Sequence, residues 1–202
     1  QKKTPSLPQS AAAPSAPSDQ VVPWGMINIG AHQPASAGQV LPDVDADVYV
    51  LDTGIQVNHP DLNIVEHICF VPSEMSNAEN DLNGHGSHVA GVIGARDNRT
   101  GVVGVAPGVR LHAIKVLDRS GQGVMSTVMA GIDHVVGVRL ANPHMRMAAN
   151  ISLGFYAGST SYNAMDEAVA EAIAQGIVFS VAAGNDFRDA SLYSPAHVHT
   201  AI

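Results

Sequence analysis

Three residues carry side chains suited to work on a reacting group, two by acid–base chemistry and one by hydrogen bonding: Asp52, His85 and Asn185. His85 stands in Asn83-Gly84-His85-Gly86-Ser87-His88-Val89-Ala90-Gly91, a glycine-flanked loop that runs straight into a small-residue helix. Glycine on both sides of a histidine suits a backbone that turns sharply and lets another molecule come close. Such an imidazole can act as a base when a carboxylate accepts from its other ring nitrogen, which fixes the tautomer and stabilises the imidazolium. Asp52, in Asp52-Thr53-Gly54, is the candidate carboxylate. Asn185, in Ala183-Gly184-Asn185, offers an amide that can donate to a developing oxyanion. Spacing alone does not make these three a site, because Asp, His and Asn are common at strand ends. His85 and His88 also admit a metal-pair reading, but no third ligand lies at helical spacing. His88 is therefore expected to be a packed structural histidine.

The elements that must position them alternate. Val48-Tyr49-Val50-Leu51 is a short apolar run of the kind found in strands covered on both faces, and it stops at Asp52. Leu111 to Leu117 reads as a second strand and Ile151-Ser152-Leu153 as the end of a third, closed by Gly154. Ile177 to Ala182 reads as a fourth. Residues 126–140 place Val128, Ile132, Val135, Val136 and Leu140 on one helical face, with Asn142-Pro143 as the stop. Tyr162 to Gln175 forms another helix, with Met165, Val169 and Ile173 at four-residue spacing and Gly176 as its stop. Strands alternating with helices predict right-handed crossovers and a parallel sheet. Ligands then bind beyond the carboxyl ends of the strands, where Asp52, Gly121 to Gly123, Ser152 to Gly154 and Ala183 to Asn185 fall.

Composition sets the bounds. At 202 residues with 46% apolar and 14% charged residues, the chain can bury a sizeable core. A formal charge of −8 argues against a nucleic-acid partner, which wants a basic face. The single cysteine, Cys69, excludes an intrachain disulfide framework and is expected to act as a small buried hydrophobe. No apolar run approaches the roughly 18 residues of a membrane span. Residues 1–22 are rich in Pro, Ala and Ser and read as a linker or tail, with order beginning near Val22-Pro23-Trp24. The start at Gln1, with no apolar signal core behind it, is expected to be a processing or cloning boundary.

Several motifs agree with one known family. Val50-Leu51-Asp52-Thr53-Gly54-Ile55, followed by His59-Pro60-Asp61-Leu62, resembles the aspartate motif of the subtilisin-like serine proteases. The His85 segment resembles that family's histidine motif, with Ser87 where threonine is usual. Gly104-Val105-Ala106-Pro107 and Ala113 to Leu117 match the segments that follow, and Ser152-Leu153-Gly154 and Ala182-Ala183-Gly184-Asn185 match the substrate-binding strand and oxyanion motif. The resemblance runs from about residue 20 to residue 202, in the family's order. It implies an α/β fold of three layers, a mainly parallel twisted sheet with helices on both faces, over residues 23–202. It also implies that Asp52 orients, His85 is general base and acid, and Asn185 is the oxyanion donor.

The same resemblance implies that a substrate backbone lies between Gly121-Gln122-Gly123 and Ser152-Leu153-Gly154, with Ala182, Ala183 and Gly184 beside it. Main-chain pairing of that kind accepts many sequences while alternate side chains enter pockets. Met125, Val128 and Leu153 would make the pocket four residues before the cut apolar, and Phe155 is expected to narrow the mouth of the primary pocket. A structural calcium site is implied as well, with side chains of Gln20, Asp61 and Asn98 and carbonyls of Arg96, Thr100 and Val102. Such an all-oxygen set suits calcium. An ordinary polar loop is the alternative, and Asn98-Arg99-Thr100 is also a glycosylation sequon whose use would exclude the metal. Polypeptide substrates, a propeptide or proteinaceous inhibitor, and an extracellular setting follow from the resemblance. No organic cofactor does.

One part of the pattern does not occur. The family's nucleophile lies in a Gly-Thr-Ser-Met-Ala motif, and no such motif is present among these 202 residues. Ser87, Ser126, Ser152 and Ser194 all sit in segments with other roles. The expectation is a chain that stops before the nucleophile helix and is inactive by itself. It is then part of an ordinary endopeptidase, one half of a nicked enzyme, or a pseudoprotease that binds peptides or a partner surface.

Overall fold

The structure, a computed structural model, describes residues 19–31, 43–77, 80–158 and 163–202. Most of the proposed linker, residues 1–18, and Tyr162, the expected start of the last helix, lie outside the described residues. The five strands β1 (Asp47–Asp52), β2 (Ile64–Cys69), β3 (Arg110–Lys115), β4 (Met147–Ile151) and β6 (Val178–Val181) form one parallel sheet in the order β2-β3-β1-β4-β6. A short antiparallel pair, β5 (Phe155–Tyr156) with β7 (Tyr193–Ser194), stands apart from it. Among the described residues, four α-helices complete the main elements: α1 (Trp24–Asn28), α2 (His85–Gly94), α3 (Met125–Ala141) and α4 (Ala164–Ala174). None of the described helices is long and apolar enough to cross a membrane.

The period-two alternation of β1 explains why both faces of the sheet are covered. Tyr49 and Leu51 point into a core shared with Val128, Ile132 and Val135 of α3 and with Met165, Val169 and Ala172 of α4. Val50, between them, points the other way into a core shared with Ala90 of α2. Small residues bring the helices close: a Cβ added at Gly94 would sit 2.7 Å from Val109 Cγ1, and one at Gly131 would sit 2.7 Å from Val116 Cγ1.

The helical connections do not all share one hand. From β3 to β4 and from β4 to β6 the chain steps the same way across the sheet, passing along the α3–α4 face. From β2 to β3 it also steps that way, but α2 lies on the opposite face. That connection therefore has the opposite hand, against the expectation of right-handed crossovers throughout. The exception places the start of α2 at the carboxyl end of β1.

Other boundaries shift for local reasons. The third strand ends at Ile151, so Ser152 and Leu153 leave the ladder and become free to line a cleft. Leu140, in the last turn of α3, is 65% exposed, while the helix's buried residues end at Val135. The edge strand β2, with one flank unpaired and Glu66 and His67 at its centre, lacks the apolar run that marks the inner strands. Cys69, at the end of that edge strand, is half-buried rather than buried. The N-terminal arm docks slightly before the expected boundary: Val21 pairs with Val102, and its N–H donates to the Gly101 carbonyl at 2.8 Å.

Candidate active site

The end of β1 and the start of α2 meet. His85 Nδ1 lies 2.8 Å from Asp52 Oδ1 and 2.9 Å from Oδ2. Asp52 is fully buried, while the His85 side chain is half exposed to the cleft. An ionised carboxylate only accepts, so this contact makes Nδ1 the N–H nitrogen and leaves Nε2 as the acceptor. Asp52 Oδ1 also accepts from the Thr53 N–H at 2.7 Å, which anchors the carboxylate to its own strand end.

The first turn of α2 is held by side chains from this site, not by an ordinary cap. Gly84 takes the N-cap position with φ of 99°, a left-handed conformation that favours glycine. Leading N–H groups of a helix have no intrahelical partner. Here His85 donates to Asn83 Oδ1 (3.2 Å), Gly86 to Thr53 Oγ1 (2.9 Å) and Ser87 to Asp81 Oδ2 (2.9 Å). Asp81 Oδ1 also accepts from Thr53 Oγ1 (2.9 Å), Asn83 N (3.0 Å) and Gly84 N (2.8 Å), and Ser87 Oγ donates to its Oδ2 at 2.7 Å. Burial raises the Asp81 pKa, but hydrogen bonds from Gly84, Ser87 and Thr53 outweigh it and hold the carboxyl below its usual range.

Gly86 is fixed by close approach. A Cβ there would sit 2.0 Å from the Gly54 carbonyl oxygen and 3.2 Å from Asp52 Cβ. Gly86→Ala must push α2 off the end of β1, and a stability loss of at least about 1–3 kcal/mol is expected. Thermal unfolding measures it; an unchanged melting temperature would show that the loop yields without cost.

A cleft of about 500 Å³ gathers His85 and Asn185 with Gly121, Ser152, Leu153, Gly154, Ala182 and Gly184. Gln122 and Gly123 instead line a neighbouring recess with Val71 and Thr127. Ala183 is exposed between two cleft residues and lines neither. Met125 is exposed at the first turn of α3, whereas Val128 is sealed in the core beneath it. An apolar pocket there would thus draw on Met125 and Leu153 without Val128. Phe155 does not line the cleft, because it pairs with Ser194 in the small sheet. Tyr193 lines it instead, its hydroxyl donating to Asp186 Oδ2 at 2.7 Å, a contact that raises the phenol's pKa.

His88 departs from its expected role. Gly86, Ala90 and Gly94 are the buried residues of α2, and His88, about half a turn away from them, is exposed. Ser194 is buried and donates to Asp166 Oδ1 at 2.6 Å, and the Ser152 hydroxyl accepts from Asn150 Nδ2 at 2.8 Å. Among the described residues no serine hydroxyl is hydrogen-bonded to His85.

Asp81, Thr53 and the buried pair Lys115–Glu74 are the participants that motif reading missed. Lys115 Nζ donates to the Thr53 carbonyl at 2.6 Å and lies 2.9 Å from Glu74 Oε2. Burial raises the Glu74 pKa, and Lys115 and Arg119 outweigh it, leaving the carboxyl low. Asp81 sits just before Asn83-Gly84, where an acidic residue reads as ordinary turn chemistry.

Comparison with known proteins assigns the family. The model of the Subtilase family matches residues 45–202. Subtilisin DY of Bacillus licheniformis is 43% identical over 166 residues, covering 82% of this chain and 56% of that protein. Subtilisin E of Bacillus subtilis (strain 168) is 41% identical over 167 residues, covering 83% of this chain and 41% of that protein. A crystal structure of a cold adapted subtilisin-like serine proteinase superposes with a TM-score of 0.66 at 34% identity, covering 84% of this chain and 58% of the other. The chain thus spans about half the length of the curated relatives it matches. Residues 45–202 carry the family's pattern, and the chain belongs to the Subtilase family.

Proposed function

We propose that this chain supplies the acid, the base and the oxyanion donor of a serine endopeptidase acting on polypeptides. The observation that carries the reading is the contact of both oxygens of buried Asp52 with Nδ1 of a half-exposed His85, in a cleft that also holds Asn185. In this reading a serine from outside residues 1–202 presents its hydroxyl to His85 Nε2. The imidazole takes that proton as the oxygen attacks the peptide carbonyl, then returns it to the leaving amine. Asp52 stabilises the imidazolium, and Asn185 donates to the oxyanion. A serine-directed fluorophosphonate probe and a peptide library test it on the natural protein. Labelling and hydrolysis, both lost in His85→Ala, are expected; a protein that neither labels nor cleaves any peptide sinks it.

We propose further that the oxygen-rich loop near the N-terminal arm takes calcium, a reading in which the Gln20 and Asn98 amides turn to present their oxygens in place of the N–H groups that now face the site. Gln20 Nε2 lies 2.7 Å from the Arg96 carbonyl oxygen and 3.0 Å from that of Val102, and Asn98 Nδ2 lies 2.7 Å from Asp61 Oδ1. Thr100 donates its N–H and hydroxyl to Asn98 Oδ1, at 3.0 and 2.8 Å. Two carbonyls and a carboxylate thus face amide N–H groups, the partial positive charge that a hard cation would replace. In this proposal Gln20, Asp61 and Asn98 bind through side chains, and Arg96, Thr100 and Val102 through carbonyls. The ion would clamp the arm to the loop after α2. At 100 times its dissociation constant it would stabilise the fold by about 2.7 kcal/mol, roughly 5–10 °C in Tm. Thermal melts with and without a chelator check this, and a chelator-insensitive Tm that calcium does not raise would rule the site out.

A further inference from the structure

We propose that Asp81 is a positioning residue for His85, an inference that rests on the endopeptidase reading. Its carboxylate is surrounded only by donors: Thr53 Oγ1, Asn83 N and Gly84 N at Oδ1, Ser87 N and Ser87 Oγ at Oδ2. These partners belong to two different elements. Thr53 follows Asp52 at the end of β1, and the others flank His85 at the start of α2. Thr53 Oγ1 gives its proton to Asp81 and accepts the Gly86 N–H, so its orientation is dictated by the carboxylate. Asp81 therefore fixes the backbone on both sides of His85 relative to the strand end that carries Asp52. The bidentate contact between Asp52 and Nδ1 needs that registration, because neither oxygen can follow an imidazole whose helix start drifts.

An ionised carboxylate is required there. An asparagine would present its NH2 to backbone N–H groups at one end or the other, and at least one end of the clamp must open. Displacing a catalytic group by about 1 Å costs on the order of 10²-fold in rate. The titratable groups around His85 are Asp52 on β1, Asp81 before α2, and Asp186 and Tyr193 on the opposite wall of the cleft.

The test uses the natural full-length enzyme with Asp81→Asn, Thr53→Val and Thr53→Ser. Rates are normalised to sites labelled by a serine-directed probe, so misfolded protein does not count. Asp81→Asn is expected to lower kcat per labelled site about 10–100-fold with KM changed less than about threefold. Thr53→Val breaks the same link from the strand side and should reproduce that split between kcat and KM even if Asp81→Asn fails to fold; Thr53→Ser, which keeps the hydroxyl, should not. Wild-type kcat per labelled site in whichever of Asp81→Asn and Thr53→Val folds overturns the proposal, leaving Asp81 a stabilising residue only. Wild-type protein that neither labels nor hydrolyses peptides overturns the endopeptidase reading itself, and this proposal with it.

Discussion

On the endopeptidase reading proposed above, His85→Ala in the natural full-length protein is expected to lower kcat by about 10⁶, the magnitude known for subtilisin itself and so borrowed from the family. The geometry explains why the loss should be so large. Asp52 is buried behind the imidazole and cannot reach a nucleophile in the cleft except through the ring. With the ring gone, no other described side chain is placed to take the serine proton. Asp52→Ala should cost less, on the order of 10⁴ by the same family's measure, because the base remains and loses only orientation and charge support. The double variant should be about as slow as His85→Ala alone, since an orienting acid has nothing left to orient. Single-turnover kinetics on a peptide ester check the series. A His85→Ala enzyme within tenfold of wild type, or fully additive losses, would show that the two residues do not act as one unit.

What was legible in the sequence follows from where the physical signal is local. Strand β1 is buried on both faces and announces itself as a continuous apolar run. Strand β3 is buried from Leu111 on although His112 and Lys115 interrupt the run, and β6 buries Phe179 while Val178 and Ser180 stay exposed. Helix α4 carries its signals in its own residues: Asn163 and Asp166 form a reciprocal capping box, and Gly176 follows its end. Asp52, His85 and Asn185 were legible because they sit within dense motifs, and the cleft brings His85 and Asn185 together. Features that depend on partners far along the chain were not legible. The Asp81 clamp exists only because α2 crosses on the opposite face from α3 and α4 and brings its first turn down on Thr53, and nothing near residue 81 encodes that crossing. The edge strand β2 is charged at its centre because Glu66 pairs with His112 across to β3, with Oε2 2.7 Å from His112 Nδ1. The exposure of His88 escapes a motif reading because three buried small residues at four-residue spacing, Gly86, Ala90 and Gly94, set the inner face of α2 and leave 88 opposite.

Asn185→Ala should separate binding from chemistry more cleanly than any other substitution in the cleft. Its position comes from the end of β6, where the chain turns at Gly184 with φ of 92° and leaves the ladder. Tyr193 packs beneath that turn: a Cβ added at Gly184 would sit 3.4 Å from Tyr193 Cδ1, so the segment presenting the amide rests on a ring. The ring in turn is tied to Asp186 and edges onto Tyr156 at 5.4 Å between centroids. An exposed amide held this way can donate to charge that exists only in the transition state, while the ground-state carbonyl gains little from it. The expected result is kcat lower by about 10²–10³, again the family's own figure for this amide, with KM changed by less than about threefold. Tyr193→Ala should weaken the same term by removing the support, with a loss of kcat smaller than that of Asn185→Ala. Steady-state kinetics on one peptide series decides both. If Asn185→Ala raises KM and leaves kcat intact, the amide binds substrate uniformly, and the oxyanion donor must be sought in a backbone N–H instead.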